Sequence, residues 1–123
     1  AMIPAKLDIT IYQGDDFSLI FRMRDSVSNE YVDLSEREGR AQIRTSVAST
    51  DVILPFTVDI LDQTVTPGGV MLSLTPTETA SLPLTGGVYD VEVYNIESVE
   101  YPARTWVRTP LAGNIIVLPE VTR

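Results

Sequence analysis

The chain has 123 residues, of which 44% are hydrophobic and 21% are charged, which fits one globular domain. Its net charge of −8 argues against a nucleic-acid or membrane partner, because phosphates and anionic lipids attract clustered Lys and Arg. Cys and His are both absent, which removes the thiolate nucleophile, the commonest general base and the commonest transition-metal ligand. We therefore expect a non-enzymatic protein without a metal or cofactor.

The first third of the chain alternates apolar and polar residues, as strands do. Residues 7–11 predict a first strand, and Gln-Gly-Asp at 13–15 predicts a turn. The alternation is clearest in residues 17–24, which predict a second strand with one buried face. The residues expected to be buried are Phe17, Leu19, Phe21 and Met23, and those expected to be more exposed are Ser18, Arg22 and Arg24.

The middle of the chain predicts three more strands and one short helix. Residues 40–45, 52–60 and 70–74 carry the strand pattern, and Pro55 indicates an edge strand or a bulge. Thr75, Pro76 and Glu78 fit the N-cap, first and third positions of a helix, a capping box with proline at the first turn. Leu82-Pro83 then ends the helix after one or two turns.

The last third returns to strands, at 88–94, 104–109 and 111–118. The pattern as a whole predicts an all-β fold, an antiparallel immunoglobulin-like β-sandwich of about seven or eight strands with one short helix. A small barrel is the alternative. We expect residues 1–123 to form one domain, with an N-terminal arm at 1–5 and a C-terminal tail at 119–123.

Acidic pairs offer weak candidates for chemistry. Asp15 and Asp16 follow a turn and suggest a calcium corner, but the spacing of a calcium loop is missing and turn capping is the simpler interpretation. Asp59 and Asp62 suggest a hydrolytic carboxylate pair, for which solvated charge is the simpler interpretation. A serine nucleophile would depend on Lys6 as its base, which we discount. We expect no catalytic residue.

Aromatic and arginine residues around the last hairpin are the better candidates for an interface. Eight of the nine basic residues are Arg, whose planar group suits protein contacts. Strand alternation would put Arg104, Trp106 and Arg108 on one face, near Tyr94 and Tyr101. Trp106 could be part of the core, an anchor in a protein interface, or a platform for a sugar ring.

Short motifs also follow one another in a recognisable order: I-P-A-K at 3–6, I-T-I-Y-Q-G-D at 9–15, V-D-L-S at 32–35, A-Q-I-R at 41–44, L-S-L-T at 72–75 with E-T-A at 78–80, G-V-Y-D-V-E-V at 87–93, and P-E-V-T-R at 119–123. This order resembles a class of short bacteriophage structural proteins. It is similar, more loosely, to the N-terminal domain of phage baseplate upper proteins. The segment 104–113, with Pro110 and no Glu, departs from that pattern.

The resemblance implies an immunoglobulin-like sandwich located in the virion and made in the cytoplasm of the bacterial host. It implies a tail, baseplate or fibre-attachment connector, with other phage structural proteins as partners. By analogy with phage tails, we expect a homo-oligomer, a trimer or hexamer in the particle. A capsid decoration protein and a carbohydrate-binding module for host attachment are the alternatives.

Overall fold

Strands dominate the computed structural model, which describes residues 4–97 and 103–121. Those residues form eight strands and one short helix, within the predicted range. In chain order the elements are β1 (Ala5–Lys6), β2 (Ile9–Tyr12), β3 (Phe17–Arg22), β4 (Arg37–Arg44), β5 (Val52–Ile60), β6 (Gly69–Leu74), α1 (Pro76–Ala80), β7 (Gly87–Asn95) and β8 (Val107–Leu118).

The strands form one continuous curled sheet in the order β1-β8-β7-β4-β5-β6-β3, with β2 also on β8. The sheet curls at β5, which changes partner along its length. Its first half pairs with β4, where Pro55 lies opposite Gln42, and its second half pairs with β6 from Thr57 onward. Pro55 has no N–H to donate, so it fits the stretch where β5 has a partner on only one side.

The beginning of the chain pairs with its end in a way that the sequence did not predict. Both β1 and β2 run parallel to β8, with Ala5 opposite Leu111 and Ile9 opposite Ile115. The sheet is therefore mixed and not wholly antiparallel, because the two N-terminal strands pair in parallel with the C-terminal strand β8. Ala5, which we had placed in the N-terminal arm, is the first residue of β1.

One cluster of apolar side chains fills the interior of the curl. The predicted faces of β3 are correct, since Phe17, Leu19 and Phe21 point inward and Ser18 and Arg22 outward, although Ile20 is apolar and also points outward. Met23 is buried, whereas Phe17, Leu19 and Phe21 are only partly buried. Partial burial follows from the position of β3 at the end of the sheet, where its outer side has no neighbouring strand among residues 4–97 and 103–121.

The predicted turn at 13–15 and the predicted helix hold each other in place. Thr75 and Glu78 form the capping box that begins α1. Thr79, which is fully buried, accepts a hydrogen bond from the Gly14 N–H (3.0 Å) and donates one to the Asp15 carbonyl (2.7 Å). The Q-G-D and E-T-A motifs therefore meet in space.

Candidate functional site

The aromatic residues predicted as an interface lie where β7 ends and β8 begins. Residues 103–106 are not part of a strand, contrary to the alternation predicted for 104–109. A buried side chain, Asn95, holds this segment instead. It donates a hydrogen bond to the Ala103 carbonyl (3.1 Å) and accepts one from the Trp106 N–H (2.9 Å). The position of Trp106 is thus fixed by a residue that the sequence analysis had not singled out.

Trp106 is partly buried, packs against the core and is faced by two guanidinium groups. The Arg37 group lies 4.6 Å from the ring centroid and the Arg108 group 4.8 Å. Arg104 does not flank this ring as predicted but stacks on Tyr94, at 4.0 Å. We call these five residues the arginine–aromatic patch.

Pairing across the sheet explains how the patch forms. Arg37 lies opposite Asn95 in the β4–β7 pair, which brings it to the end of the core. The register between β7 and β8 shifts after Val91, so that Arg108 lies opposite Val93. Residues opposite each other share a face of the sheet, so Arg108 and Val93 lie on the same face. This shift accommodates Pro110, which cannot donate a ladder hydrogen bond. Arg37 is far from Trp106 in sequence, so no local pattern could have revealed it.

The predicted site residues therefore separate into different roles. Tyr94 is buried and supports Arg104, which leaves the arginine exposed. Trp106 packs against the core and is only partly buried, and its role as an interface anchor or a sugar platform stays a prediction. Tyr101 lies outside the described residues.

The patch carries more positive than negative charge. Arg104 lies 3.7 Å from the Glu97 carboxylate, and this is the single ion pair of the patch among residues 4–97 and 103–121. The Nε of Arg37 is buried and has no hydrogen-bond partner in that part of the chain. Guanidinium groups are planar and donate paired hydrogen bonds, so this arrangement can bind planar acidic or carbonyl groups.

The acidic candidates are all exposed in the structure, and Asp62 stabilises a turn. Asp62 accepts hydrogen bonds from the Thr64 hydroxyl (2.7 Å) and N–H (3.0 Å), and these bonds lower the pKa of its carboxyl. Asp59 is exposed on β5, and Asp15 and Asp16 are exposed beside the Gly14 turn. Lys6 is exposed in β1. Within the described ranges no three acidic side chains converge as a metal site requires.

The structure contains a second arginine–aromatic group, which the sequence alone did not predict. The guanidinium groups of Arg22 and Arg24 lie 3.5 and 4.5 Å from the centroid of the Tyr31 ring. Arg24 also donates a hydrogen bond to the Tyr31 hydroxyl (2.6 Å). The alternation in β3 had predicted that both arginines face solvent, but not that they share an aromatic partner.

One cavity, of about 470 Å³, is an open groove on the outer face of β4, β7 and β8. Its lining mixes apolar and charged groups, including Val88, Asp90 and Arg44. Arg44 is held there by the Gln42 side chain (2.8 Å) and the Ser49 carbonyl (3.1 Å). Among the described residues that line the groove, no nucleophile is paired with a base. No described helix has the length and apolarity needed to cross a bilayer.

Comparison with known proteins gives only distant likenesses. No family model matches the chain, and no curated protein matches it. Among solved structures, it is similar to a ZIG-8–RIG-5 IG1–IG1 heterodimer, with a TM-score of 0.46 and 12% identity over 94% of this chain and 84% of that one. It is also similar to the extracellular domain of the voltage-gated sodium channel beta4 subunit, with a TM-score of 0.46 and 9% identity over 98% of both chains. Likenesses this weak transfer neither a fold name nor a function.

Proposed function

We propose that this protein is a non-enzymatic structural component of a bacteriophage particle, a connector at the tail, baseplate or fibre attachment. It would bind a neighbouring phage structural protein through the arginine–aromatic patch. The motif order along the chain supports the phage assignment. The patch supports the mode of action.

The strand order supports an immunoglobulin-like sandwich. In that fold the second, fifth and fourth strands form one layer, and the third, sixth and seventh form the other. If β1 and β2 are taken together as the first strand, the β3-β6-β5 and β4-β7-β8 neighbours reproduce both layers. The first strand departs from that order by pairing with the last.

The observation that carries the mode of action is the stacking of three arginines on two aromatic rings in one patch. Arg and Trp are the residues that most often dominate protein interfaces. Stacking orders the long arginine side chains before a partner arrives, so less entropy is lost on binding. The positive patch lies on a protein of net charge −8, so it selects an acidic partner surface. The two guanidinium groups on Trp106 occupy ring surface that a sugar would need, which disfavours the carbohydrate-binding alternative.

The first experiment asks whether the protein belongs to the particle. Mass spectrometry of purified virions should find this chain at a constant ratio to the tail proteins, and antibody labelling in electron micrographs should mark the tail. A phage lacking the gene should give particles with a missing or loose tail component. Purified particles that never contain the chain would refute the proposal, and labelling confined to the capsid would favour the decoration alternative.

A charge reversal tests the patch itself. Arg104→Glu should reduce incorporation into particles at least about tenfold, because a like charge would face the acidic partner. Arg40→Glu is the matched control, since Arg40 is also exposed and also pairs with a glutamate, Glu92 at 2.9 Å, away from the patch. Equal incorporation of the two variants would show that the patch is not the contact surface.

A further inference from the structure

Strand β3 ends the sheet with its outer edge open. It pairs with β6 on one side, and no described residue pairs with its other side. The Met23 N–H points toward the β6 side, where it donates to the Gly68 carbonyl (2.8 Å). Because these directions alternate along a strand, the N–H and C=O groups of Ser18, Ile20 and Arg22 point to the open edge. Three sets of backbone groups are thus available to another strand.

Among the described residues, two other free edges carry a proline or an interruption, and β3 has neither. Natural sheets blunt exposed edges with proline, bends or very short strands. The first half of β5 carries Pro55, and the edge formed by β1 and β2 is interrupted at residues 7–8. By contrast, β3 has six regular residues without Pro or Gly, and its central outward side chain, Ile20, is 58% exposed. Such an edge is suited to pairing with a strand.

The sequence of β3 is complementary to itself. In an antiparallel pair of two copies with Ile20 on the two-fold axis, Ser18 faces Arg22 of the second copy. One step further out, Asp16 faces Arg24 of the second copy, so each end of the pair brings opposite charges together. The Arg24 guanidinium is already ordered by the Tyr31 hydroxyl and by Asn29, which reduces the entropy lost when the pair forms.

We infer that β3 is a homodimerisation edge, at which two copies join their sheets antiparallel about Ile20. The same register places Leu19 beside Phe21 of the second copy on the inward face. Both side chains are partly buried in the single chain, and the second copy would cover more of them. This inference goes beyond the proposed function, because β3 contains no residue of the arginine–aromatic patch.

Sedimentation velocity over a concentration series tests the dimer. The wild-type chain should shift from monomer to dimer as concentration rises. Ile20→Lys should weaken dimerisation at least about tenfold, because it places two like charges together on the axis. Ile116→Lys is the matched control, since Ile116 is also exposed on a strand, and it should dimerise like wild type. A wild-type chain that stays monomeric throughout would overturn the inference.

A charge exchange tests the register. Asp16→Arg and Arg24→Asp should each weaken the dimer, and the double variant should recover it, because opposite charges face each other again. A double variant that is as weak as the two losses combined would overturn this register. Circular dichroism would verify that each variant is folded.

A disulfide offers an independent measurement, because the chain has no cysteine. Residues opposite each other in a hydrogen-bonded antiparallel pair have Cα atoms about 5.5 Å apart, within the range a disulfide spans. Ile20→Cys should therefore give a covalent dimer on mild oxidation, and Ile116→Cys should stay monomeric. Equal cross-linking of the two variants would count against the dimer inference. That result would leave the proposed role of the arginine–aromatic patch untouched, because β3 contains none of its residues.

Discussion

Tyr89 links the beginning of the chain to the centre of the sheet through one buried hydroxyl. That hydroxyl donates a hydrogen bond to the Leu7 carbonyl (2.6 Å). Burial, together with the negative charge of Asp8, raises the pKa of Tyr89 to about 12. A raised pKa in the folded state means that the neutral form contributes stability below the unfolded pKa of about 10, and that this stability is lost as pH rises toward 12.

The free energy of unfolding should therefore fall by about 2–3 kcal/mol between roughly pH 9 and pH 12 from this group. Urea titrations at a series of pH values would measure the fall. Tyr89→Phe should cost about 1 kcal/mol at neutral pH, through the lost hydrogen bond, and should remove this part of the pH dependence. The same alkaline fall in wild type and variant would contradict the assignment to Tyr89.

Asn95 is the residue on which the geometry of the arginine–aromatic patch depends. Asn95→Ala leaves the Trp106 N–H and the Ala103 carbonyl without their partner, and should lower the free energy of unfolding by about 1–3 kcal/mol. Trp106 is the single tryptophan, so its fluorescence should shift to longer wavelength as the ring becomes more exposed. Asn114→Ala, at an exposed strand position, should change neither measurement much.

At the scale of elements, α1 is stable because of the turn it contacts, since five residues are too few for an independent helix. Thr79→Val keeps the shape of the side chain but leaves the Gly14 N–H without its acceptor. We expect a loss of about 1–3 kcal/mol in urea unfolding. Thr77→Val is the control, because Thr77 is exposed on the same helix. Equal losses would show that helix propensity, and not the contact with the turn, is responsible.

Local signals in the sequence were sufficient for most of these elements. Alternation placed Phe17, Leu19 and Phe21 on the inward face of β3, and the capping box placed α1, because both patterns depend on neighbouring residues. The parallel pairing of β1 and β2 with β8 could not be predicted in this way. Nor could the contact between Arg37 and Trp106, since both arise from chain closure over long sequence separations.

At the scale of the whole molecule, one ring connects the two halves of the curled sheet. Phe56 is buried in β5, where the sheet changes from the β4 side to the β6 side. Its ring centroid lies 6.0 Å from that of Phe17 in β3 and 6.0 Å from that of Tyr89 in β7. Since these three rings belong to one core, the two halves should unfold together.

Phe56→Ala should therefore lower the free energy of unfolding by about 3–5 kcal/mol, through the cavity it leaves. That is a large share of the roughly 5–15 kcal/mol that stabilises an ordinary domain. Trp106 fluorescence reports on the β7–β8 end, and far-ultraviolet circular dichroism reports on the whole sheet. In both wild type and variant the two signals should give coincident urea transitions, because losing the shared ring weakens both halves equally. A variant whose fluorescence transition stays at the wild-type midpoint while the circular dichroism transition moves would show that the halves are energetically separate.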